Sequence, residues 1–290
     1  MRILLIGKYG QLGWELHRTL AILGEVIALD YPEINLAQAD EVRRVVRQVR
    51  PGVIANASAY TAVDRAESES ELAYAINARA PGILAEEAAD LGAALVHYST
   101  DYVFDGSKGS PYVETDPPNP LGVYGRSKLE GERAVEQVGG MYLILRTSWV
   151  YSLRRDSFVT KVLQWSRQQT SLRVVDDQVS NPTWARMLAE VTAQLLAKAD
   201  KDWLGERGGL YHLAGDGFTS RWGWAQAILR HDAHKEEQVT RQVLPASTLD
   251  FPTPAQRPLF SALDCQKFAR TFGLGLPPWE EALRLAMEVS

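Results

Sequence analysis

Short apolar runs alternate with longer amphipathic segments along the first half of the chain. Five apolar runs predict β-strands, and four segments with apolar positions three or four residues apart predict helices between them. The predicted strands are Arg2–Ile6, Glu25–Asp30, Gly52–Asn56, Ala93–Ser99 and Met141–Arg146, and the predicted helices are Gln11–Leu23, Gln38–Val49, Glu69–Leu91 and Gly125–Val138. Because these strands are apolar throughout, we expect helices on both faces of a parallel sheet.

From about Trp149 onward the pattern becomes less regular. The remaining predicted strands are Arg173–Asp176 and Leu210–Ala214, and the remaining predicted helices are Phe158–Gln169, Trp184–Lys198, Arg221–Leu229 and Trp279–Val289. Pro245–Pro258 contains four prolines and predicts an extended surface segment. We therefore expect an α/β protein with a Rossmann-like, doubly wound parallel sheet at residues 1–150. A smaller mixed α/β domain should follow at 151–290, and part of it is expected to return to the sheet.

The composition agrees with a globular protein and narrows its partners. The chain has 290 residues, 46% hydrophobic and 23% charged, and a formal net charge of −5. Such a charge repels nucleic-acid backbones, so any phosphate must be bound by local groups. The single cysteine, Cys265, cannot form an internal disulfide, and no apolar run approaches the length of a membrane span. We expect a cytoplasmic protein with neither a nucleic-acid nor a membrane partner.

A glycine-rich turn joins the first predicted strand to the first predicted helix. Gly7, Gly10 and Gly13 follow the spacing G-x-x-G-x-x-G. Glycines allow a tight turn and a close approach to phosphate, and the N–H groups at a helix N-terminus bind anions. The turn therefore predicts a site for the pyrophosphate of a dinucleotide cofactor.

Asp30, at the end of the second predicted strand, bears on which dinucleotide binds. An acidic side chain at this place accepts hydrogen bonds from the adenosine ribose hydroxyls. Its charge would repel a 2′-phosphate, although Lys8 offers a nearby cation that would offset the repulsion. We expect NADH or NADPH as the cofactor, with NADH slightly favoured.

Tyr124 and Lys128 lie on one face of a predicted helix because they are four residues apart. A free tyrosine titrates near ~10, and a neighbouring ammonium group lowers that pKa by stabilising the phenolate. Thr100 ends the fourth predicted strand, where its hydroxyl would reach a substrate carbonyl. The three residues predict a catalytic tyrosine–lysine pair with a second hydroxyl. His97, on the same strand, fits a packed strand residue better than a base.

Longer stretches of sequence narrow the predicted class of protein. Those stretches include Tyr98–Asp105 (YSTDYVFD), Arg146–Tyr151 (RTSWVY) and Pro252–Pro258 (PTPAQRP). With the glycine turn and the Y-x-x-x-K pair, they resemble the dTDP-4-dehydrorhamnose reductase family of extended short-chain dehydrogenases/reductases, nearly from end to end. The resemblance implies NAD(P)H-dependent reduction of the C4 ketone of dTDP-4-dehydro-L-rhamnose to dTDP-L-rhamnose.

The resemblance also implies roles for individual residues. Tyr124 would be the proton donor, Lys128 its partner and Thr100 the second catalytic hydroxyl. The implied cofactor site comprises Gly7, Gly10, Gln11, Leu12, Gly13, Asp30, Asn35, Leu36, Ala57, Ser58, Ala59, Tyr98, Tyr124 and Lys128, with Asn35 and Leu36 at the adenine and Tyr98 near the nicotinamide. The implied substrate site comprises Thr100, Asp101, Tyr124, Lys128, Trp149 and Arg257, with Arg257 at a substrate phosphate.

Two segments depart from the family pattern. The family commonly has small residues and Asn-Phe after the tryptophan string, where this chain has Ser152–Phe158 (SLRRDSF), and Ser180-Asn181 replaces two small residues. Some members are described with a magnesium-bridged dimer, to which Glu15 would contribute, but Arg186 brings a cation where further carboxylates would be needed. We assign no metal, and we expect a nucleotide-sugar substrate and a monomer or homodimer.

Two other functions stay open at this point. A 4-epimerase or 4,6-dehydratase of the same architecture retains its NAD and shows no net oxidation. A dehydratase should carry an acidic pair after the active threonine, where this chain has Asp101 and then Tyr102. A non-catalytic regulatory subunit is the other alternative, because a relative of this fold serves methionine adenosyltransferase in that way.

Overall fold

The computed structural model describes residues 1–198 and 201–288. Its strands are β1 (Arg2–Ile6), β2 (Glu25–Leu29), β3 (Val53–Asn56), β4 (Ala94–Thr100), β5 (Tyr142–Thr147), β6 (Val150–Tyr151), β7 (Ser171–Val175), β8 (Val179–Ser180), β9 (Thr183–Trp184), β10 (Gly209–His212), β11 (Thr219–Ser220) and β12 (Gln242–Ala246). Its α-helices are α1 (Gln11–Leu20), α2 (Ala39–Val49), α3 (Val63–Ala66), α4 (Ser70–Tyr74), α5 (Ala80–Leu91), α6 (Val123–Val138), α7 (Phe158–Ser166), α8 (Ala185–Lys198), α9 (Lys201–Arg207), α10 (Arg221–His231), α11 (Gln266–Phe272) and α12 (Trp279–Glu288).

The main sheet has six parallel strands in the order β10-β5-β4-β3-β1-β2. The chain reverses its direction of winding between β1 and β3, and ligands of such sheets bind at the carboxyl ends of the strands near this point. The expected Rossmann-like parallel sheet is confirmed. Strand β10 comes from beyond residue 150, as expected of a late segment that returns to the sheet, while the division into domains at 1–150 and 151–290 stays a prediction.

Helices cover both faces of this sheet. On one face α1, α8 and α11 bury residues such as Leu16 and Leu188, and on the other α2, α5 and α6 bury residues such as Val46 and Leu84. Both faces of the central strands are therefore apolar, which explains why their sequences do not alternate. A separate apolar core lies among α7, α10, α12 and the short strands near them, and it includes Trp224.

Two predicted elements differ from the structure, and a third extends beyond the described residues. The single helix expected at Glu69–Leu91 is divided by a π-helical turn, Ala75–Arg79, between α4 and α5. The segment expected to be extended from Pro245 begins inside β12, which pairs in parallel with β7. Proline is compatible with this strand because β12 pairs along one edge only. Val289, the last residue of a predicted helix, lies outside the described residues.

The described part of the chain contains no helix that is both long and apolar enough to cross a membrane.

Helix α6 lies unusually close to the chain around it. A Cβ atom on Gly125 would be 2.2 Å from the Tyr102 carbonyl oxygen, and one on Gly131 would be 2.1 Å from that of Asn77. Glu132, on the same helix, forms a buried ion pair with Arg146 of β5 at 2.6 Å. Small residues and a buried ion pair therefore fix the position of α6 against the sheet.

Substitution of Gly131 by alanine should destabilise the protein, because the added methyl group would push α6 away from the Asn77 carbonyl. We expect the free energy of unfolding to fall by about 1–3 kcal/mol, measured by urea denaturation. Gly205→Ala is the matched control, since a Cβ atom there meets nothing within 4 Å in helix α9. Equal stability of Gly131→Ala and the unsubstituted protein would contradict the close packing.

Candidate active site

A cleft of about 580 Å³ opens at the carboxyl ends of the central strands. It is lined by most of the residues expected to bind the cofactor, namely Gly7, Gly10, Gln11, Leu12, Asp30, Ala57, Ser58, Ala59, Tyr98, Tyr124 and Lys128. The elements that supply them are the turn after β1, the ends of β2, β3 and β4, and helix α6. Distant parts of the chain are thus brought to one site.

The glycine-rich turn leaves room for a ligand at the start of α1. Gly7 has φ +94°, and a Cβ atom there would lie 2.8 Å from the Ser58 backbone nitrogen. Helix α1 begins after Gly10, which offers no side chain to cap it, so the first N–H groups of the helix are available to an anion. Gly13 does not line the cleft. A Cβ atom there would lie 1.9 Å from the Gly7 carbonyl oxygen, so Gly13 instead allows α1 to pack against the turn.

Two buried polar atoms in the cleft fit a dinucleotide ligand. Gln11 Oε1 and Thr147 Oγ1 have no hydrogen-bond partner among the described residues, and both residues line the cleft. Because buried polar atoms in folded proteins are nearly always paired, these two require a partner from outside the chain. Together with the open helix start, they make the cleft suitable for NAD(P)H.

The adenosine end of the cleft is formed around Asp30. Its carboxylate accepts hydrogen bonds from the backbone N–H groups of Tyr9, at 2.9 Å, and Tyr31, at 2.8 Å. Lys8 does not serve as an unpaired cation beside it, because its ammonium group pairs with Glu33 at 2.6 Å. Lys8 therefore compensates the charge of Asp30 less than expected.

Asn35 and Leu36 lie in an adjoining cavity of about 400 Å³ rather than in the main cleft. The two spaces share Asp30, Ser58 and Ala59. An adenine ring that extended from the cleft past Asp30 would reach them, which is the place the family resemblance implies.

Lys128 is buried under helix α6, with 2% of its surface exposed. Its ammonium group donates to the Tyr98 carbonyl at 2.6 Å and lies 3.4 Å from His97 Nε2. Burial lowers the pKa of Lys128 to about 8. Burial, with the Lys128 charge as a smaller cause, holds the pKa of His97 well below its usual value, so His97 is a neutral neighbour of the lysine. Tyr98 contributes its carbonyl, while its hydroxyl bonds to Thr192 at 2.7 Å.

Tyr124 is a neutral phenol in this environment rather than a phenolate. Burial raises its pKa above the usual value, and a hydrogen bond with Thr100 acts in the opposite direction with a smaller effect. The expectation that Lys128 lowers the pKa of Tyr124 is not met in this structure, because burial raises that pKa and the charges that act on it are those of Asp101 and Tyr102 rather than that of Lys128. The ammonium group of Lys128 is engaged by the Tyr98 carbonyl instead.

Asp101 is a buried carboxylate next to Thr100. It accepts hydrogen bonds from Ser261 at 2.5 Å, from Ser180 at 3.1 Å and from Thr100 at 3.2 Å. Burial raises its pKa to about 6 in spite of these bonds. Asp101 is thus hydrogen-bonded to Thr100, and its expected contact with the substrate stays a prediction; Ser180, a departure from the family pattern, contributes directly to this network.

Asn181, the second departure, joins three chain segments near the site. Its amide nitrogen donates to the Gly215 carbonyl at 3.2 Å and to the Gly217 carbonyl at 2.8 Å, and its oxygen accepts from the Leu263 backbone at 2.7 Å. These bonds tie the residues before β9 to the segment between β10 and β11 and to the segment before α11.

The expected sugar contacts Trp149 and Arg257 lie outside the cleft on the side of α10. Trp149 has φ +39° and stacks on Trp224, with ring centroids 5.5 Å apart. Arg257 pairs with Asp64 at 2.8 Å, so much of its charge is already balanced. The guanidinium of Arg221 lies 3.7 Å from the centre of the Trp149 ring, and its charge interacts with Asp101.

Several residues of the site were not found by sequence reasoning. The cleft is also lined by Thr61, Ser99, Thr147, Val150, Arg155 and Asp156. Thr147 follows a predicted strand in the same way as Thr100, so that rule would have found it. No motif or strand-end position in the sequence identified Arg155 or Arg221, because contacts with distant segments of the chain bring them to the site.

A parallel sheet whose strand ends carry a dinucleotide cleft and a buried tyrosine–lysine helix defines the class, an extended short-chain dehydrogenase/reductase. A family model described as "RmlD substrate binding domain" matches residues 1–290. The dTDP-4-dehydrorhamnose reductase of Burkholderia thailandensis is 41% identical over 99% of this chain and 98% of its own.

Solved structures give the same result. The dTDP-4-dehydrorhamnose reductase of Clostridium acetobutylicum has a TM-score of 0.92 and 34% identity, covering 100% of this chain and 99% of its own. The Bacillus anthracis enzyme, solved in complex with NADP, has a TM-score of 0.91 and 32% identity, with the same coverage. The chain belongs to the dTDP-4-dehydrorhamnose reductase family, and it is an oxidoreductase with an NAD(P)H site.

The buried charge of Lys128 should be visible in the pH dependence of stability. Below about pH 8 the lysine is protonated in both states and the full cost of burying its charge is present; above that, only the unfolded chain holds the proton. The stability of the unsubstituted protein relative to Lys128→Met should therefore rise as the pH increases from about 7 to about 9.5, measured by urea denaturation.

Lys161→Met, on an exposed position of α7, controls for the loss of any lysine. A stability difference between the unsubstituted protein and Lys128→Met that does not change across this pH range would contradict the buried-charge account.

Proposed function

We propose that the protein reduces the C4 ketone of dTDP-4-dehydro-L-rhamnose to dTDP-L-rhamnose, with NADH or NADPH as the reductant. The observation that carries the proposal is the convergence of Tyr124, Lys128 and Thr100 at the end of β4, beside a cleft suited to a dinucleotide. The names of relatives that match over nearly their whole length supply the substrate.

The chemistry requires one hydride and one proton. NAD(P)H supplies the hydride when it is bound. Tyr124, protonated at neutral pH, gives its proton to the substrate oxygen as negative charge develops there. Thr100 donates a hydrogen bond to the same oxygen and is oriented by Asp101. Lys128, whose ammonium group donates to the Tyr98 carbonyl, would hold the cofactor ribose.

We assign substrate recognition to the residues beyond about 150, in agreement with the proposed division of the chain into two domains. Trp149 would contact the sugar, and Arg257 would bind a phosphate of the nucleotide. Arg221 joins this set, because its guanidinium is packed on Trp149 and no described carboxylate forms an ion pair with it. Arg221, together with Arg257, whose charge is partly balanced by Asp64, would then offer positive charge to the substrate diphosphate in a protein whose net charge is −5.

Three finer points also belong to the proposal. A slight preference for NADH follows from the Asp30 carboxylate at the ribose end of the cleft. We infer a cytoplasmic location from the use of nucleotide precursors, and either a monomer or a homodimer. Asp101, buried and hydrogen-bonded, is proposed to act through Thr100.

The activity is tested by following NADH absorbance with the dTDP-4-keto sugar as substrate. We expect one NADH to be consumed for each sugar reduced. Tyr124→Phe should lower kcat by about 10²-fold or more, because the proton donor is lost, while the dissociation constant for NADH changes little.

Tyr142→Phe is the matched control, since Tyr142 lies at the opposite end of β5 from the site. If the unsubstituted protein binds NADH but never consumes it with this sugar, the proposed function is wrong. A near-normal rate in Tyr124→Phe would remove Tyr124 from its proposed role.

A further inference from the structure

Two neighbouring arginines in the loop between β6 and α7 reach different sites. The guanidinium of Arg154 lies 3.3 Å from the centre of the Trp14 ring, at a cavity of about 480 Å³ that also contains Glu15. Arg155 turns the other way, lines the cofactor cleft and donates a hydrogen bond to the Tyr9 carbonyl in the glycine-rich turn. The two side chains therefore have the same charge in adjacent positions but different surroundings.

Among the described residues that line the cleft, Arg155 is the cationic residue available to bind a phosphate. The other cationic residue that lines the cleft, Lys128, is engaged by the Tyr98 carbonyl under α6. The acidic lining residues, Asp30 and Asp156, make the cleft unfavourable for an anion unless a cation compensates. Within the described part of the chain no carboxylate forms an ion pair with Arg155, whose bond to Tyr9 is to an uncharged oxygen.

The loop that carries Arg155 is held in place. Ser157 caps α7 through a reciprocal pair of bonds with Thr160, and its hydroxyl also donates to the Ser152 carbonyl at 3.0 Å. At the other end of the loop, the Gln11 side chain donates to the Val150 carbonyl at 3.3 Å. The loop is therefore tied both to its own helix and to the first residue of α1, so Arg155 needs little reordering to meet a ligand.

We propose that Arg155 binds the pyrophosphate of the dinucleotide cofactor, and this inference rests on the proposed function insofar as NAD(P)H is the ligand. A guanidinium has five N–H donors, and the bond to Tyr9 uses one of them. Tyr9 directly precedes Gly10, the N-cap of α1, and Arg155 lines the same cleft as Gly10 and Gln11, where the backbone N–H groups would bind the same phosphates. Asp30 disfavours a 2′-phosphate at the ribose, which leaves the pyrophosphate as the partner.

The test measures cofactor binding without turnover. Dissociation constants for NADH and NADPH are obtained by fluorescence titration of the unsubstituted protein, Arg155→Gln, Arg155→Lys and the matched control Arg154→Gln. We expect Arg155→Gln to weaken binding of both cofactors by about tenfold to about a hundredfold, and Arg155→Lys to lose less. Arg154→Gln removes the same charge and should change either constant by less than about twofold.

Three results would overturn the proposal. The first is unchanged binding of both cofactors by a folded Arg155→Gln protein. The second is weaker binding of NADPH alone, which would indicate that Arg155 meets the 2′-phosphate. The third is equally weakened binding in Arg154→Gln, which would indicate a long-range charge effect. A melting curve for each variant separates loss of binding from loss of folding, and retained binding by Arg155→Lys supports a role for the charge itself.

The same experiment separates this proposal from the proposed function. If the unsubstituted protein binds NADH but does not oxidise it with the dTDP-4-keto sugar, the function fails, and the binding comparison still decides the role of Arg155. If turnover is normal and Arg155→Gln binds as tightly as the unsubstituted protein, only the role of Arg155 fails. Binding of neither cofactor by the unsubstituted protein would overturn both.

Discussion

The close packing of helix α6 against the ends of the parallel strands is the constraint on which the rest of the site depends. Gly125 and Gly131 allow its backbone to approach neighbouring carbonyls, and Glu132 ties it to β5 through Arg146. In this position the helix buries Lys128 beside the end of β4. Without that approach the lysine would be solvated, and the relation between the catalytic helix and the glycine-rich turn would be lost.

Burial then controls the chemistry more strongly than the charges that sequence motifs suggest. It raises the pKa of Tyr124 and lowers that of Lys128, because it disfavours the charged form of each group. Asp101 is affected in the same way, with its pKa raised to about 6. A reductase acting on a ketone needs a proton donor at neutral pH, and Tyr124 is protonated there, as a free tyrosine is.

Local patterns predicted the sheet and the catalytic helix because both are encoded in short stretches of sequence. Thr100 and Tyr124 could be placed from their positions on such elements, and the glycine turn from its spacing. Arg155 could not, since its partner Tyr9 is 146 residues away, and the pairing of Lys8 with Glu33 likewise depends on the folded loop. The shift of the Tyr124 pKa was also hidden, because spacing along a helix does not reveal how deeply a side chain is buried.

The central claim, that hydride passes to the sugar at C4, is tested most directly with NADH that carries deuterium at both C4 positions of the nicotinamide ring. The product of a reaction with the dTDP-4-keto sugar is analysed by NMR and mass spectrometry. The account predicts deuterium at C4 of the new dTDP-6-deoxyhexose, with one deuterium for each NADH oxidised. Oxidation without deuterium at that carbon, or a product that carries it elsewhere, would contradict the account.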